Sequence, residues 1–212
     1  CALPIFDARA RGIPVIPRAE MLGELMRLRF SVAVAGAHGK TTTTSMVAVV
    51  LEHAGLDPTA VIGGRLSAFG SNARLGRGKY MVAEADESDR SFLMLSPSIA
   101  IITNIDREHM ENYGSFEDLQ QAFVDFANRV PFYGAVVLCA DDPHLATVMP
   151  RLTRRVISYG LDTPDALIVG TDVELGAFGG RVTVHRRHRD VLVPLGQLEL
   201  RVPGRHNILN AL

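Results

Sequence analysis

The segment SVAVAGAHGKTTTTSMVAVV constrains this chain more than any other. An apolar run from Ser31 reads as a buried strand, a glycine turn follows, and Lys-Thr opens the helix TTTTSMVAVVLEHAG. Strand, glycine loop, Lys-Thr and helix follow the phosphate-loop arrangement, which is favoured over the plain alternative of a glycine-bearing strand-to-helix turn with an incidental lysine. Glycines let backbone N–H groups face phosphate oxygens without a Cβ in the way, and the helix N-terminus adds partial positive charge at the same place. Lys40 is then expected to reach the β- and γ-phosphates, and the hydroxyl of Thr41 to coordinate Mg²⁺. The spacing departs from the usual G-x-x-x-x-G-K-[ST], which would need glycine where Val34 stands. Here it is G-x-x-G-K-T, Gly36 to Thr41, with His38 in place of part of the longer loop. Only two lysines, Lys40 and Lys79, occur beside twenty arginines, a weak further sign that Lys40 serves as a compact point charge.

A phosphate loop needs a carboxylate at the end of a neighbouring strand to help hold the metal. EADESD, Glu84 to Asp89, follows the apolar run YMVA in that kind of position. Four carboxylates in six residues repel one another unless a cation offsets them, although a solvated acidic turn is the plain alternative. Glu84, first off the strand, is the expected metal ligand, with Asp86 and Asp89 behind it. The next apolar run, SIAIITNID, leads into REHMENYG and places Thr103, Asn104, Asp106 and His109 at the carboxyl edge, where α/β sheets bind ligands. His109 is read as ligating a second metal ion or contacting the γ-phosphate, against the alternative of an ordinary surface histidine.

The remaining pattern indicates an α/β fold: a mostly parallel sheet of the phosphate-loop type flanked by helices, since its strands are apolar throughout. Gly55 is placed as a C-terminal helix cap, and FEDLQQAFVDFANRV as a helix with Phe116, Leu119, Phe123 and Phe126 on one side. Residues 1–29 read as a short segment followed by a helix, and GGRLSAFGSNARLGRG as a loop. Beyond about residue 155 shorter strands and Gly179-Gly180 suggest a small antiparallel β appendage on the sheet edge near the C-terminus. Cys139, inside an apolar strand, reads as core.

Balance of charge excludes some functions. With 22 basic and 23 acidic side chains, no basic field is available for non-specific nucleic-acid or membrane binding. Two cysteines cannot make a disulfide framework, and no apolar run approaches the length of a membrane span, so a cytoplasmic protein is expected. The chain opens on Cys1 and closes on GRHNILNAL without a cap, which suggests a piece of a larger protein.

Taken together, AGAHGKTTTTSMVA, EADESDRSFL, TNIDREHMENYG and GRHNILNAL resemble, in order, the ATP loop, two metal-bearing segments and adenine-side motif of the Mur ligases. These are ATP-dependent amide-forming ligases of bacterial peptidoglycan synthesis. EADESD followed by SFL, the TNID-x-x-H-x-x-x-YG pattern and PFYG most resemble the branch that adds L-alanine to UDP-N-acetylmuramate. The resemblance implies that Gly36, Ala37, His38, Gly39, Lys40, Thr41 and Thr42 bind ATP. Thr41 and Glu84 would hold one Mg²⁺ and His109 a second, with Lys40, Glu84 and His109 as the catalytic set. His206, Asn207 and Asn210 would meet the adenine, while Asn72, Ala73, Arg74, Ser88 and Asp89 would face the muramyl substrate. Several members use a carbamylated lysine after the histidine motif; with no lysine after Lys79 that device is impossible here, as in the alanine-adding branch.

By the same resemblance, ATP converts the lactyl carboxylate of UDP-N-acetylmuramate to an acyl phosphate, which the amine of L-alanine attacks. Of three domains in the family, residues 1–29 would be the tail of the N-terminal UDP-substrate domain with its linker, and residues 30–212 the central ATP-binding domain. The C-terminal amino-acid-binding domain would be absent, so the polypeptide is expected to bind nucleotide without completing ligation, its missing domains being its partners. Other readings are a murein tripeptide ligase of cell-wall recycling, or a phosphate-loop nucleotide-binding module with no ligase chemistry.

Overall fold

In the computed structural model, which describes residues 2–66 and 71–212, a 10-stranded sheet organises the chain. Its centre is β1 (Phe30–Ala35), parallel to β4 (Tyr80–Glu84) on one side and to β5 (Ile99–Ile102) on the other. Beyond β4 come β2 (Thr59–Leu66), parallel, and β3 (Ser71–Arg74), antiparallel. Beyond β5 come β6 (Ala135–Cys139), β7 (Val156–Gly160) and β8 (Ile168–Leu175), each parallel to its neighbour. Two antiparallel strands, β9 (Gly180–His188) and β10 (Val191–Leu200), finish that edge. The chain leaves β1 towards β2 and β4, then crosses back to β5, so strand order reverses at β1. That reversal opens a crevice at the carboxyl end of β1, where sheets of this kind bind ligands.

The central strands are apolar along their length because helices cover both faces. In β1 only Phe30 is exposed, and Val32 to Ala35 are buried. Ser31, buried there, trades hydrogen bonds with Ser98: each backbone N–H donates to the other's hydroxyl oxygen, at 3.2 and 3.3 Å. Helix α3 (Lys40–His53) follows β1 directly. It ends as the sequence suggests: Gly55 takes φ +72°, its N–H donates to the Glu52 carbonyl, and the Leu56 N–H donates to the Leu51 carbonyl. This closes the helix with a left-handed glycine. Helix α4 (Phe116–Asn128) is capped by Ser115, whose hydroxyl accepts from the Asp118 N–H at 3.1 Å. It buries the expected face of Phe116, Leu119, Phe123 and Phe126. Phe92, fully buried, sits with ring centroids 5.3 Å from Phe123 and 5.1 Å from Phe126. Phe126→Ala is expected to cost about 3–5 kcal/mol, from lost burial plus the cavity left behind. Denaturant unfolding of the two proteins measures it, and a loss below about 1 kcal/mol would mean the site collapses or the ring contributes little. Cys139 is buried in β6, as read from the sequence, and burial pushes its thiol up to about 11. Cys1 lies outside the described residues.

In several places the structure departs from the sequence reading. Before α2 (Arg18–Arg27) stands a further helix, α1 (Ala2–Ala10), where a short segment is expected. Part of the segment read as a loop is strand: β2 continues through Gly63 to Leu66, and β3 pairs back with it. Glycine is tolerated in that strand because Gly63 lies against the Glu84 carboxylate, where a side chain would collide. The parallel sheet also continues past residue 155 through β7 and β8, so the antiparallel appendage begins only at β9, and β3 adds an antiparallel strand to the other edge. Among the described residues no helix is long and apolar enough to cross a membrane.

Candidate nucleotide-binding site

The loop between β1 and α3 lies in the crevice between the ends of β4 and β5. Register sets this: Val34 pairs with Glu84 and Ala35 with Ile102, so Glu84 and Thr103 emerge level with the loop. Gly36 adopts φ +130°, and a Cβ there would collide with the Thr103 hydroxyl and crowd the Asn104 backbone. Thr103 and Asn104, placed by the sequence at the carboxyl edge, clasp the loop. The Asn104 side chain accepts from the His38 N–H at 2.8 Å and donates to the His38 carbonyl at 2.9 Å, and the Thr103 hydroxyl lies 2.6 Å from that carbonyl. The Asn104 carbonyl takes the Ala37 N–H at 3.3 Å. With two amides so engaged, those of Gly39, Lys40, Thr41 and Thr42 remain. They begin α3 and have no carbonyl four residues back within the helix, so they point outward as an anion cradle. Gly39 makes the turn at φ +84°. The His38 ring leaves the cradle and lies, largely exposed, 3.5 Å from Asp106 and 3.7 Å from Glu108.

Lys40 Nζ reaches back over the loop. It donates to the Gly36 carbonyl at 2.8 Å and to Glu87 Oε1 at 2.8 Å, with the Ala37 carbonyl at 3.4 Å. Glu87 is 3% exposed, and its Oε2 is buried without a hydrogen-bond partner. Burial pushes its carboxyl up, and the Lys40 ammonium pulls against that shift. Tyr113, from the segment after β5, donates its hydroxyl to the Glu87 carbonyl, and Asn112 donates to the Ser88 carbonyl at 2.8 Å. The acidic turn is thereby tied to the histidine-bearing segment.

Glu84 ends β4, with Oε1 buried and without a hydrogen-bond partner. Glu84, Lys40, Asp86, Asp89 and Gly63 line one cavity of ≈ 250 Å³, closed on another side by Arg18 and Leu22 of α2. Asp89 accepts from the Ser91 N–H at 2.9 Å, and those local hydrogen bonds hold its carboxyl below the usual range. A larger cavity of ≈ 460 Å³ between α3 and β10 is lined almost wholly by apolar groups and offers little to hold a charged ligand.

Helix α6 (Arg205–Ala211) closes the other side of the loop. The Asn210 amide packs on Gly39 so closely that a Cβ there would stand 2.6 Å from its Oδ1. Asn207 donates to the Pro203 carbonyl at 2.7 Å, and His206 folds over Gly204. Arg205 pairs with Asp162 at 2.6 Å, in a turn whose amides bond to Asp141: Leu161 N–H at 2.6 Å and Thr163 N–H at 2.9 Å.

Lys40, Glu84, Asp86 and Asp89 therefore come together around one cavity, with Thr41 exposed on the first turn of α3 and Asn210 against the loop. His109 does not line that cavity; it sits at φ +54°, partly exposed, 3.7 Å from Glu111. Nor is Arg74 brought to the loop. It pairs with Glu52 at 2.8 Å and Asp57 at 2.7 Å, at the opposite end of α3 from Lys40, while Asn72 and Ala73 of β3 are exposed. Sequence reasoning missed Glu87 as the partner of Lys40, and Arg18 in the cavity wall. The signal for Glu87 was its place inside EADESD; for Arg18 the sequence offered none, since only packing of α2 brings it there.

Residues 34–212 match the model of the Mur ligase middle domain. The UDP-N-acetylmuramate–L-alanine ligase of Bordetella pertussis is 56% identical over 209 residues, covering 98% of this chain and 44% of that protein. The enzyme of that name from a Geobacter species is 53% identical over 208 residues, again with 98% and 44% coverage. The chain thus spans less than half the length of these relatives. Among solved structures, UDP-N-acetylmuramate:L-alanyl-γ-D-glutamyl-meso-diaminopimelate ligase from Neisseria meningitides superposes with a TM-score of 0.83 at 29% identity, over 98% of this chain and 67% of that one. UDP-N-acetylmuramate–alanine ligase from Thermotoga maritima superposes with a TM-score of 0.80 at 29% identity, over 98% and 45%. With its phosphate loop, its strand-end carboxylates and these matches, the chain belongs to the Mur ligase family, residues 34–212 being the family's middle domain.

Proposed function

We propose that this chain is the ATP-binding part of a ligase that joins L-alanine to UDP-N-acetylmuramate through an acyl phosphate. The carrying observation is the shared cavity of Lys40 and Glu84: a fixed ammonium and an unpartnered carboxylate oxygen beside an open helix N-terminus. Such an arrangement suits a triphosphate and a hard cation. In this reading residues 1–29 end the preceding UDP-substrate domain, and the enzyme works in the bacterial cytoplasm with its other two domains.

The chain's own groups have definite tasks. Lys40 and the amides of Gly39 to Thr42 bind and align the phosphates, and their positive potential offsets charge as the γ-phosphoryl passes to a carboxylate. Asn210, with His206 and Asn207 at the start of α6, borders the nucleoside end. Mg²⁺ fits the donor set: Glu84 offers a buried oxygen without a partner, and Thr41 a hydroxyl on the helix first turn. Among the described residues no three His, Cys, Asp or Glu side chains gather into a cage, and Mg²⁺ does not need one, since it takes one or two carboxylates with waters and substrate phosphate. When bound, the ion would neutralise phosphate charge and hold the triphosphate in line. His109 belongs to this set only if its segment moves towards the cavity.

Glu84→Ala is expected to raise the Mg²⁺ concentration needed for half-maximal ATP binding by about tenfold or more. An unaltered Mg²⁺ titration would remove Glu84 from the metal site. The overall proposal is tested by calorimetry of the chain with ATP and Mg²⁺, and by alanine ligation in a version carrying all three domains. Failure to bind ATP sinks it. Solved structures of an alanine-adding and a tripeptide-adding ligase are equally similar, at 29% identity each, so alanine addition is supported by the relatives of that name at 56% and 53% identity.

A further inference from the structure

We infer that Glu87 is a positioning residue that restrains nucleotide affinity: it holds Lys40 as an internal counterion, and ATP must share Lys40 with it. This deepens the ATP-binding reading above and rests on it. Three observations carry it. First, Lys40 has three N–H donors, and all three face protein acceptors: Gly36 carbonyl and Glu87 at 2.8 Å each, and the Ala37 carbonyl at 3.4 Å. The weakest of the three is the one a phosphate oxygen can displace without breaking the ion pair. Second, the Glu87 carboxylate is nearly inaccessible and, among the described residues, has no other cation, its Oε2 lacking any hydrogen-bond partner. A buried carboxylate so poor in partners is retained at a cost in stability, which points to a role in setting the charge around Lys40. Third, the position of Glu87 is enforced from outside the acidic turn, through Tyr113 and Asn112 on the segment after β5. These bonds fix the backbone that carries Glu87, and burial of its side chain leaves the carboxylate little room to swing away when a triphosphate arrives.

The pair is close to neutral, so the triphosphate meets less positive charge than the lysine alone would present. Glu87→Gln keeps the shape and an acceptor oxygen but removes the charge. ATP should then bind about tenfold more tightly, because attraction between unit charges a few ångströms apart in a partly buried site is large. A purely structural role gives the opposite sign: a loosened loop binds ATP more weakly. A second measurement uses the lysine count. With only Lys40 and Lys79 present, amine acetylation followed by mass spectrometry reports each separately. In the nucleotide-free protein Lys40 should react much more slowly than Lys79, and Glu87→Gln should speed Lys40 alone, leaving Lys79 as the internal standard.

Both readouts are made on the whole chain, with thermal unfolding to confirm that the variant is folded. Tighter ATP binding together with faster labelling of Lys40 supports the inference. Unchanged or weaker ATP binding by a folded variant overturns it, as does a wild-type Lys40 that labels as fast as Lys79, a result that stands even if the variant does not fold. If wild type binds no ATP while Lys40 is protected by Glu87, the ATP-binding proposal fails and the ion pair does not.

Discussion

Lys40→Ala should reduce ATP affinity by about 100-fold, equivalent to about 3 kcal/mol for charge-assisted hydrogen bonds in a partly buried site. Two effects add. The ammonium that meets the phosphates is gone, and Glu87, 3% exposed and stripped of its Lys40 counterion, now faces the incoming triphosphate as an unpaired anion. Removing one partner of a buried pair also destabilises the fold, by roughly 3–5 kcal/mol in fully buried cases and less here because Lys40 is partly exposed. The variant has a further signature. Burial raises the Glu87 carboxyl above its ordinary value of 4.5 in the folded protein, and losing Lys40 raises it more. The folded state then binds more protons than the unfolded one, so the contribution to stability is full below that ordinary value. It is lost as pH rises through the folded value. Thermal unfolding of Lys40→Ala should therefore gain relative to wild type as pH is lowered from 7 towards 5. Unchanged ATP affinity would remove Lys40 from the site, and a pH-independent gap between the two proteins would deny Glu87 its unpaired charge.

Gly36→Ala should have an effect of similar size on stability and abolish nucleotide binding. At φ +130° an L side chain is strained, costing about 1–3 kcal/mol. The added methyl also runs into the Thr103 hydroxyl and the Asn104 backbone, the groups that clasp the loop, and such overpacking typically costs about 1–3 kcal/mol more. If the strain is relieved by moving the loop, the His38–Asn104 hydrogen bonds break and the amides of Gly39 to Thr42 lose their convergence. Urea unfolding and ATP calorimetry measure the two parts. A variant as stable as wild type that still binds ATP would show that the loop has another conformation open to it. Gly12→Ala provides the comparison: at φ +69° it is also strained, but nothing lies near its missing Cβ, so it should lose stability alone.

Much of this was legible locally. The phosphate loop could be read because its chemistry is continuous in sequence: strand, glycines, Lys-Thr and helix follow one another within Ser31–Val50. Glu84 was legible for a similar reason, being the first polar residue after an apolar strand, and the α4 face was set by spacing alone. Residues whose roles depend on partners far along the chain were harder. The ion pairs of Arg74 with Glu52 and Asp57, away from Lys40, come from hairpin pairing that the segment read as a polar loop did not reveal. Thr103 and Asn104 were placed correctly at the carboxyl edge, yet their hydrogen bonds serve the loop backbone.

By itself the sequence determined the α/β class, the loop with its lysine and the carboxylates that follow the apolar run YMVA, because periodicity and backbone stereochemistry are local properties. Only the tertiary structure decided who meets whom at the reversal of strand order beside β1. It put Glu87 rather than solvent on Lys40, and Asn210 on Gly39. It also made Arg18 of α2 part of the cavity wall. The physical reason is that ion pairing, burial and steric exclusion act through distance in space, and residues 47 positions apart in Lys40 and Glu87 become neighbours only once β1 and β4 are paired.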